Sequence, residues 1–138
     1  MKSRLNPYIN FRSTARPAME FYQSVFGGKL TIMTFKDFHA AENPSEENLI
    51  MHSMLETENG MVILAADVPE RMELFVGNNI HMMLGGDNQA ELTGYFDKLS
   101  QKGTITMPLK KEMWGDIFGA FEDQFGVHWM VNISGAPA

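Results

Sequence analysis

Hydrophobic positions along the chain predict two amphipathic helices, each preceded by a strand and a polar turn. The first helix carries its apolar stripe at i, i+3, i+4 and i+7, on Ala18, Phe21, Tyr22 and Val25. The second helix carries the same stripe, on Leu92, Tyr95, Phe96 and Leu99. Each position of the second stripe lies 74 residues after its counterpart in the first, which indicates an internal repeat.

Short apolar segments around these helices predict two sets of strands. The first set is expected at 5–11, 30–35, 49–55 and 61–66, and the second at 79–84, 104–107, 117–121 and 127–133. An Asn59-Gly60 pair between two apolar runs is typical of a hairpin turn. Ser13 or Thr14 is expected to cap the first helix, and Asp87 or Asn88 the second.

A strand, a helix and three further strands therefore occur twice, in modules at about 5–66 and 78–134 of a single 1–138 domain. Four short strands and one helix are too little to bury both faces of a sheet. We therefore predict an α+β fold in which two tandem βαβββ modules form a curved mixed sheet around a shared cleft, with the helices on the outside.

Composition excludes several classes of function. The net charge of −6 argues against nucleic-acid partners, because neutralising phosphates needs a cationic face. No apolar run approaches the roughly 18 to 20 residues that span a bilayer, and no signal peptide is recognisable, so a cytoplasmic protein without a membrane partner is expected. The absence of cysteine removes disulfides, thiol nucleophiles and cysteine-based zinc sites.

Five segments of the sequence are distinctive: NPYINF, AMEFYQSVFGGKL, GNNIHMML, MPL before an acidic segment, and W-G-x-x-x-G-x-x-x-D-x-F-G-x-x-W-M-V-N. They resemble the vicinal oxygen chelate superfamily, which includes glyoxalase I, extradiol dioxygenases and bleomycin-resistance proteins. They cover nearly the whole chain and are most similar to the PhnB-like branch. The resemblance implies paired βαβββ modules and a homodimer. Some members of that branch carry a methyltransferase label, but no glycine-rich loop follows a strand here to seat adenosylmethionine, so that activity is not expected.

The resemblance also implies where a metal would bind in the metal-dependent relatives. There, a His or Glu from the first and last strand of each module surrounds a divalent ion that polarises substrate oxygens. Carried over by strand, these positions become Asn6 and Asn79, and about Leu64 and Met130. Zinc, nickel, iron and manganese favour imidazole and carboxylate over amide, aliphatic and thioether groups. We therefore expect no family-type metal site and predict no cofactor.

A displaced divalent-metal site is the alternative. Strand alternation places His81 and His128 on the cleft face, where Glu56 or Glu122 is the candidate acidic partner. The competing interpretation is that each histidine is a hydrogen-bonded wall residue. The facing of His52 is left open by the sequence. The twelve methionines are interpreted as malleable core and cleft filler, with a soft-metal or promiscuous binding surface as the alternative.

Two functions follow from these alternatives. The first is small-molecule binding without the family metal, the ligand being unknown, at a cleft lined by aromatic, methionine, amide and imidazole side chains. The predicted cleft residues are Tyr8, Asn10, His81, Met83, Trp114, His128 and Met130. Core packing is an equal alternative for Trp114, whereas Trp129, on the face opposite His128, is interpreted as core. The second function is a divalent-metal-dependent lyase, isomerase or dioxygenase that uses His81 and His128.

Overall fold

The computed structural model describes residues 2–135, in two compact units that divide between Phe75 and Val76. The first unit contains β1 (Tyr8–Phe11), α1 (Ala15–Phe26), β2 (Lys29–Thr34), a 3-10 turn (Pro44–Glu46), β3 (Ile50–Glu56) and β4 (Val62–Asp67). The second contains β5 (Met82–Gly86), α2 (Gln89–Leu99), β6 (Thr104–Lys111), β7 (Ile117–Glu122) and β8 (His128–Ile133). The predicted α+β class and the repeated βαβββ order are confirmed.

The two units have the same sheet topology. The first sheet has the order β1-β4-β3-β2 and the second the order β5-β8-β7-β6. In each sheet the first and last strands of the unit are parallel neighbours, and the other pairs are antiparallel. Each sheet is therefore mixed, as predicted.

The hairpin that joins the last two strands is also built in the same way in both units. In the first, Thr57 N donates to Met61 O at 3.0 Å, and Met61 N donates to Thr57 Oγ1 at 3.0 Å. In the second, Asp123 N donates to Val127 O at 2.8 Å, and Val127 N donates to Asp123 Oδ1 at 3.1 Å. The same backbone turn is thus closed by a hydroxyl in one unit and by a carboxylate in the other.

Each helix covers one face of its own sheet. Alternating residues of a strand point to opposite faces, and the odd-numbered positions of β7 and β8 face α2. The Phe96 ring of α2 meets the Phe121 ring of β7 edge-on at 5.0 Å between centroids, and Phe121 stacks on Trp129 of β8 at 6.4 Å. In the first unit, buried α1 side chains such as Met19 and Tyr22 form a core with buried strand residues such as Leu55. The even-numbered positions of β7 and β8 are left on the other face.

The two helices are capped differently. Asn88 caps α2 as predicted, its Oδ1 accepting a hydrogen bond from Glu91 N at 3.1 Å. Thr14 occupies the N-cap position of α1 but makes no side-chain cap bond, and Ser13 makes none either. Instead, Asp67 at the end of β4 accepts from Ala15 N at 3.0 Å. The prediction of a local hydroxyl cap for α1 was wrong, because a buried carboxylate from a distant strand takes that place.

The first strand of the second unit lies later than predicted. The expected strand at 79–84 is observed as Met82–Gly86, because its partner β8 begins at His128 and the residues before it, Gly126 and Val127, belong to the hairpin turn. Both of those residues are exposed. The observed register also changes the repeat alignment. Tyr8 pairs with Leu64 and Met83 pairs with Met130, so the counterpart of Asn6 is His81 and not Asn79.

Candidate functional site

The face of the second sheet that α2 does not cover carries a contiguous group of polarisable and hydrogen-bonding side chains. We call it the open face of the second unit. It lies on the even-numbered positions of β7 and β8 and on the odd-numbered positions at β5, a face that Ala120, Glu122 and Gly85 share. Its side chains with a ring, a thioether or an amide are His81, Met83, Phe118, His128, Met130 and Asn132. Met83 is 57% exposed, and the other five are half-buried. The face is therefore both accessible and chemically varied.

Two of the predicted cleft residues, the histidines, are brought together. His81 directly precedes β5 and His128 opens β8, and their ring centroids lie 5.5 Å apart at an interplanar angle of 57°. Met83 and Met130 are paired residues of the parallel β5–β8 ladder, one step further along. Four of the seven predicted cleft residues thus form one block on neighbouring strands.

Trp114 is connected to the same face through Asp116. The indole of Trp114 is 66% exposed in the β6–β7 connection, so the core-packing alternative for this residue was wrong. The Asp116 carboxylate accepts from Gly135 N at 2.9 Å and from Asn132 Nδ2 at 3.0 Å. These two bonds, helped by the Trp114 side chain and opposed by partial burial, lower the pKa of Asp116 below its ordinary value.

The bond from Asn132 fixes which end of its amide the open face presents. A carboxylate accepts hydrogen bonds only, so it holds the amide NH₂ and leaves the Asn132 carbonyl oxygen for other partners. Asp116 therefore orients an acceptor on the open face. Sequence reasoning overlooked Asp116, although its place between Trp114-Gly115 and the next strand was visible.

Replacing Asp116 with asparagine is expected to lower the free energy of unfolding at neutral pH and to matter less as the pH falls. Its folded pKa is depressed, so its stabilising effect is present above the unfolded pKa of about 3.9 and is lost as pH falls through the folded value. Urea unfolding between about pH 7 and pH 2 measures this, with Asp97→Asn on α2 as the control. A difference from the native protein that stays constant over that range would contradict the prediction.

The first unit has an open face of its own, opposite α1. Tyr8 and Asn10 lie on it and are exposed, Tyr8 to 48%. The structure answers the question left open for His52, since its ring lies 6.3 Å from the Tyr8 ring and it is half-buried on the same face. His52 and Phe118 occupy equivalent positions of the two sheets; the facing of His52 was left open by the sequence, and Phe118 was missed. Their even-numbered positions in β3 and β7 could have indicated that they lie on the open faces.

The interpretation of Trp129 as a core residue is confirmed. Its side chain is 1% exposed, and Nε1 donates to Asp123 Oδ2 at 2.9 Å. The side chains of the last hairpin thus divide between a structural group and a group on the open face. Trp129 and Asp123 stabilise the fold, whereas His128 and Asn132 remain available to a ligand.

The donors at the family-type metal positions do not fit a divalent ion. The positions carried over by strand, Asn6, Asn79, Leu64 and Met130, supply two amides, an aliphatic group and a thioether, and the observed register replaces Asn79 with His81 as the counterpart of Asn6. Neither Asn6 nor Asn79 lies in a strand. Within residues 2–135, no group of three or more His, Cys, Asp or Glu side chains is placed to hold a metal ion. Glu122 pairs with His128 across the two strands. One of its carboxylate oxygens is directed towards the turn, 3.9 Å from the position that a Cβ on Gly126 would occupy.

No helix within residues 2–135 is both long and apolar enough to cross a membrane.

Comparison with known proteins agrees with this architecture. The chain is 25% identical to Protein YjdN of Escherichia coli K12 over 140 residues, covering 94% of each chain. It superposes on the crystal structure of PA1353 from Pseudomonas aeruginosa with a TM-score of 0.81 and 29% identity, over 96% of this chain and 98% of that one. A PhnB protein from Bacillus cereus gives a TM-score of 0.72 at 22% identity, covering 96% and 100%.

A more distant relative shares the fold alone. The fosfomycin resistance protein FosX from Mesorhizobium loti has a TM-score of 0.59 at 9% identity, covering 97% of this chain and 93% of that one. The model of the Glyoxalase/Bleomycin resistance protein/Dioxygenase superfamily matches residues 4–131, nearly the full length. Repeated βαβββ units, shared sheet order and this match lead to one conclusion: the chain belongs to the Glyoxalase/Bleomycin resistance protein/Dioxygenase superfamily.

Proposed function

We propose that the protein binds a small, partly flat organic molecule on the open face of the second unit. The observation that carries this proposal is the Asp116–Asn132 hydrogen bond, which orients an amide on the open face, with the exposed indole of Trp114 two residues before Asp116. Ligand sites combine apolar and aromatic walls with a few fixed polar groups. Here Phe118, Met130 and the indole are the walls, and the amide oxygen is the fixed acceptor.

The chemistry of the face defines the kind of ligand. Exposed Trp114 offers a stacking surface, and neighbouring thioethers adapt their shape to different ligands. The free carbonyl oxygen of Asn132 recognises a hydrogen-bond donor, such as an amide N–H or a hydroxyl. We therefore infer an aromatic or heteroaromatic ligand that carries a donor group. The predicted homodimer and the cytoplasmic location stay predictions.

Tryptophan fluorescence with a panel of aromatic metabolites and antibiotics, in the presence of a metal chelator, tests this proposal. A ligand should change the emission of exposed Trp114 and leave that of buried Trp129 nearly constant. Asn132→Leu is expected to weaken binding about tenfold, since one hydrogen bond contributes about 1 kcal/mol or more. Asn48→Leu, in the loop before β3, is the matched control. No response to any compound, or equal affinity of the Asn132→Leu protein, would overturn the proposal.

The metal-dependent lyase, isomerase or dioxygenase alternative is favoured by one observation, the 5.5 Å approach of the His81 and His128 rings. It also requires a carboxylate or a third imidazole on the ion, as the divalent metals of such enzymes prefer. Within the described part of the chain no such third donor joins the pair. Small-molecule binding is therefore the function that the site supports best.

A further inference from the structure

Two histidines and two methionines form a rectangular block on the open face of the second unit. Met83 of β5 pairs with Met130 of β8 in parallel register, so His81 and His128, two residues earlier on each strand, stand opposite each other. All four side chains point away from α2, because residues two apart on a strand share a face. We call this group the His-Met block. It repeats one chemical pattern, His-x-Met, on two adjacent strands.

The dimensions of the block suit a single ion. Residues two apart on a strand are about 6.6 Å apart, and neighbouring strands about 4.8 Å apart, so four side chains this long can converge above the centre. The two imidazole rings already lie 5.5 Å apart between centroids. Met83 is 57% exposed, which leaves the block open to an ion arriving from solvent.

The chemical nature of the four donor atoms determines which ion the block would bind. Imidazole nitrogen and thioether sulfur are neutral, and thioethers are soft ligands that select Cu⁺ over Zn²⁺, Mg²⁺ or Ca²⁺. The nearest acidic residue in register, Glu122, directs a carboxylate oxygen towards the Gly126 turn. Hard divalent ions thus lack the charged oxygen they prefer. A soft monovalent ion does not need a charged oxygen ligand.

We propose that His81, Met83, His128 and Met130 form a Cu⁺ binding site. The site differs in ligands and in metal class from the four-ligand divalent site that metal-dependent relatives would place on these sheets. It does not rest on the proposed organic ligand, although both would use the same face. The two are separable, since copper binding is measured without the organic compounds and ligand binding is measured with a chelator.

Titration of metal-free protein with Cu⁺, under reducing conditions and against a chromogenic bicinchoninate competitor, tests the site. The native protein should bind one equivalent. Met83→Leu/Met130→Leu, which keeps side-chain volume, is expected to weaken Cu⁺ binding at least about tenfold, equivalent to about 1.4 kcal/mol. His81→Gln/His128→Gln should weaken it similarly. The control Met33→Leu/Met72→Leu changes two exposed methionines of the first unit and should bind as the native protein does.

A parallel titration with Zn²⁺ separates this site from a simple histidine pair. A Cu⁺ site with thioether ligands predicts that the Met83→Leu/Met130→Leu protein loses Cu⁺ affinity while any weak Zn²⁺ affinity is unchanged. Unchanged Cu⁺ affinity in that variant would overturn the proposal, as would tighter binding of Zn²⁺ than of Cu⁺ by the native protein. Circular dichroism of each variant checks that lost affinity does not reflect unfolding.

Discussion

Replacing Asp123 with alanine is expected to lower the free energy of unfolding by about 4 kcal/mol, because hydrogen bonds to charged groups contribute about 1.5–3 kcal/mol each. Asp123 is 3% exposed. One of its oxygens accepts from Phe125 N at 2.8 Å and Val127 N at 3.1 Å, and the other accepts from Trp129 Nε1 at 2.9 Å. Alanine removes every acceptor of the side chain while the indole stays buried and the two turn amides stay partly buried.

The first unit supplies the control for this prediction. Thr57 holds the equivalent turn position, and its hydroxyl accepts from Met61 N, so Thr57→Ala is expected to cost only about 1 kcal/mol. Urea unfolding of the two variants measures the difference. A double-mutant cycle of Asp123→Asn with Trp129→Phe isolates the indole bond. Asparagine carries an NH₂ group in place of one carboxylate oxygen, so the side chain loses one of its two acceptor atoms. Equal losses for Asp123→Ala and Thr57→Ala would show that the carboxylate is no more important than the hydroxyl.

Gly103→Ala is expected to destabilise the protein by about 3 kcal/mol, the upper end of the usual cost of overpacking. A Cβ at this position would lie 2.2 Å from the carbonyl oxygen of Glu122 and 3.0 Å from the Cα of Asp123. Both are backbone atoms of the neighbouring strand end, so no side-chain rotation relieves the clash. A Cβ on Gly28 in the first unit would lie at the same 2.2 Å from the carbonyl oxygen of Glu56, so the close approach belongs to the repeated fold.

Gly94 on α2 is the matched control for this substitution. A Cβ there meets no atom within 4 Å, and alanine is a better helix former than glycine. Gly94→Ala is therefore expected to stabilise the protein by about 0.5–1 kcal/mol. Thermal unfolding followed by circular dichroism distinguishes the opposite signs. A Gly103→Ala protein as stable as the native one would mean that the strand ends separate at little cost.

The order of elements was predictable from the sequence because it depends on local patterns. The spacing of the apolar stripe identified each helix, and Leu92, Phe96 and Leu99 of α2 are buried as that spacing predicts. The split of the last hairpin by face was also predictable, since His128 and Trp129 are neighbours on a strand. The alternation of side chains along a strand is enough to assign these two residues to opposite faces of the sheet.

The remaining features depend on which strands are neighbours, which the sequence does not contain. The start of β5 is set by where β8 begins, so Asn79 and Ile80 stay unpaired despite an apolar pattern. The link between Asp116 and Asn132 joins residues 16 apart across a hairpin. The His-Met block required the parallel register of β5 with β8, 47 residues away along the chain at Met83 and Met130. Long-range pairing, not side-chain type, made these positions hard to infer.

The different caps of the two helices have a consequence for the order in which the chain acquires structure. The cap of α2, Asn88, lies three residues before its partner Glu91, so its cap bond needs only its own segment. The cap of α1 is Asp67, 52 residues after Ala15, and the same carboxylate also accepts from Ile50 N at 2.9 Å. The first helix to be synthesised therefore lacks its cap bond until β4 has followed it and packed against it.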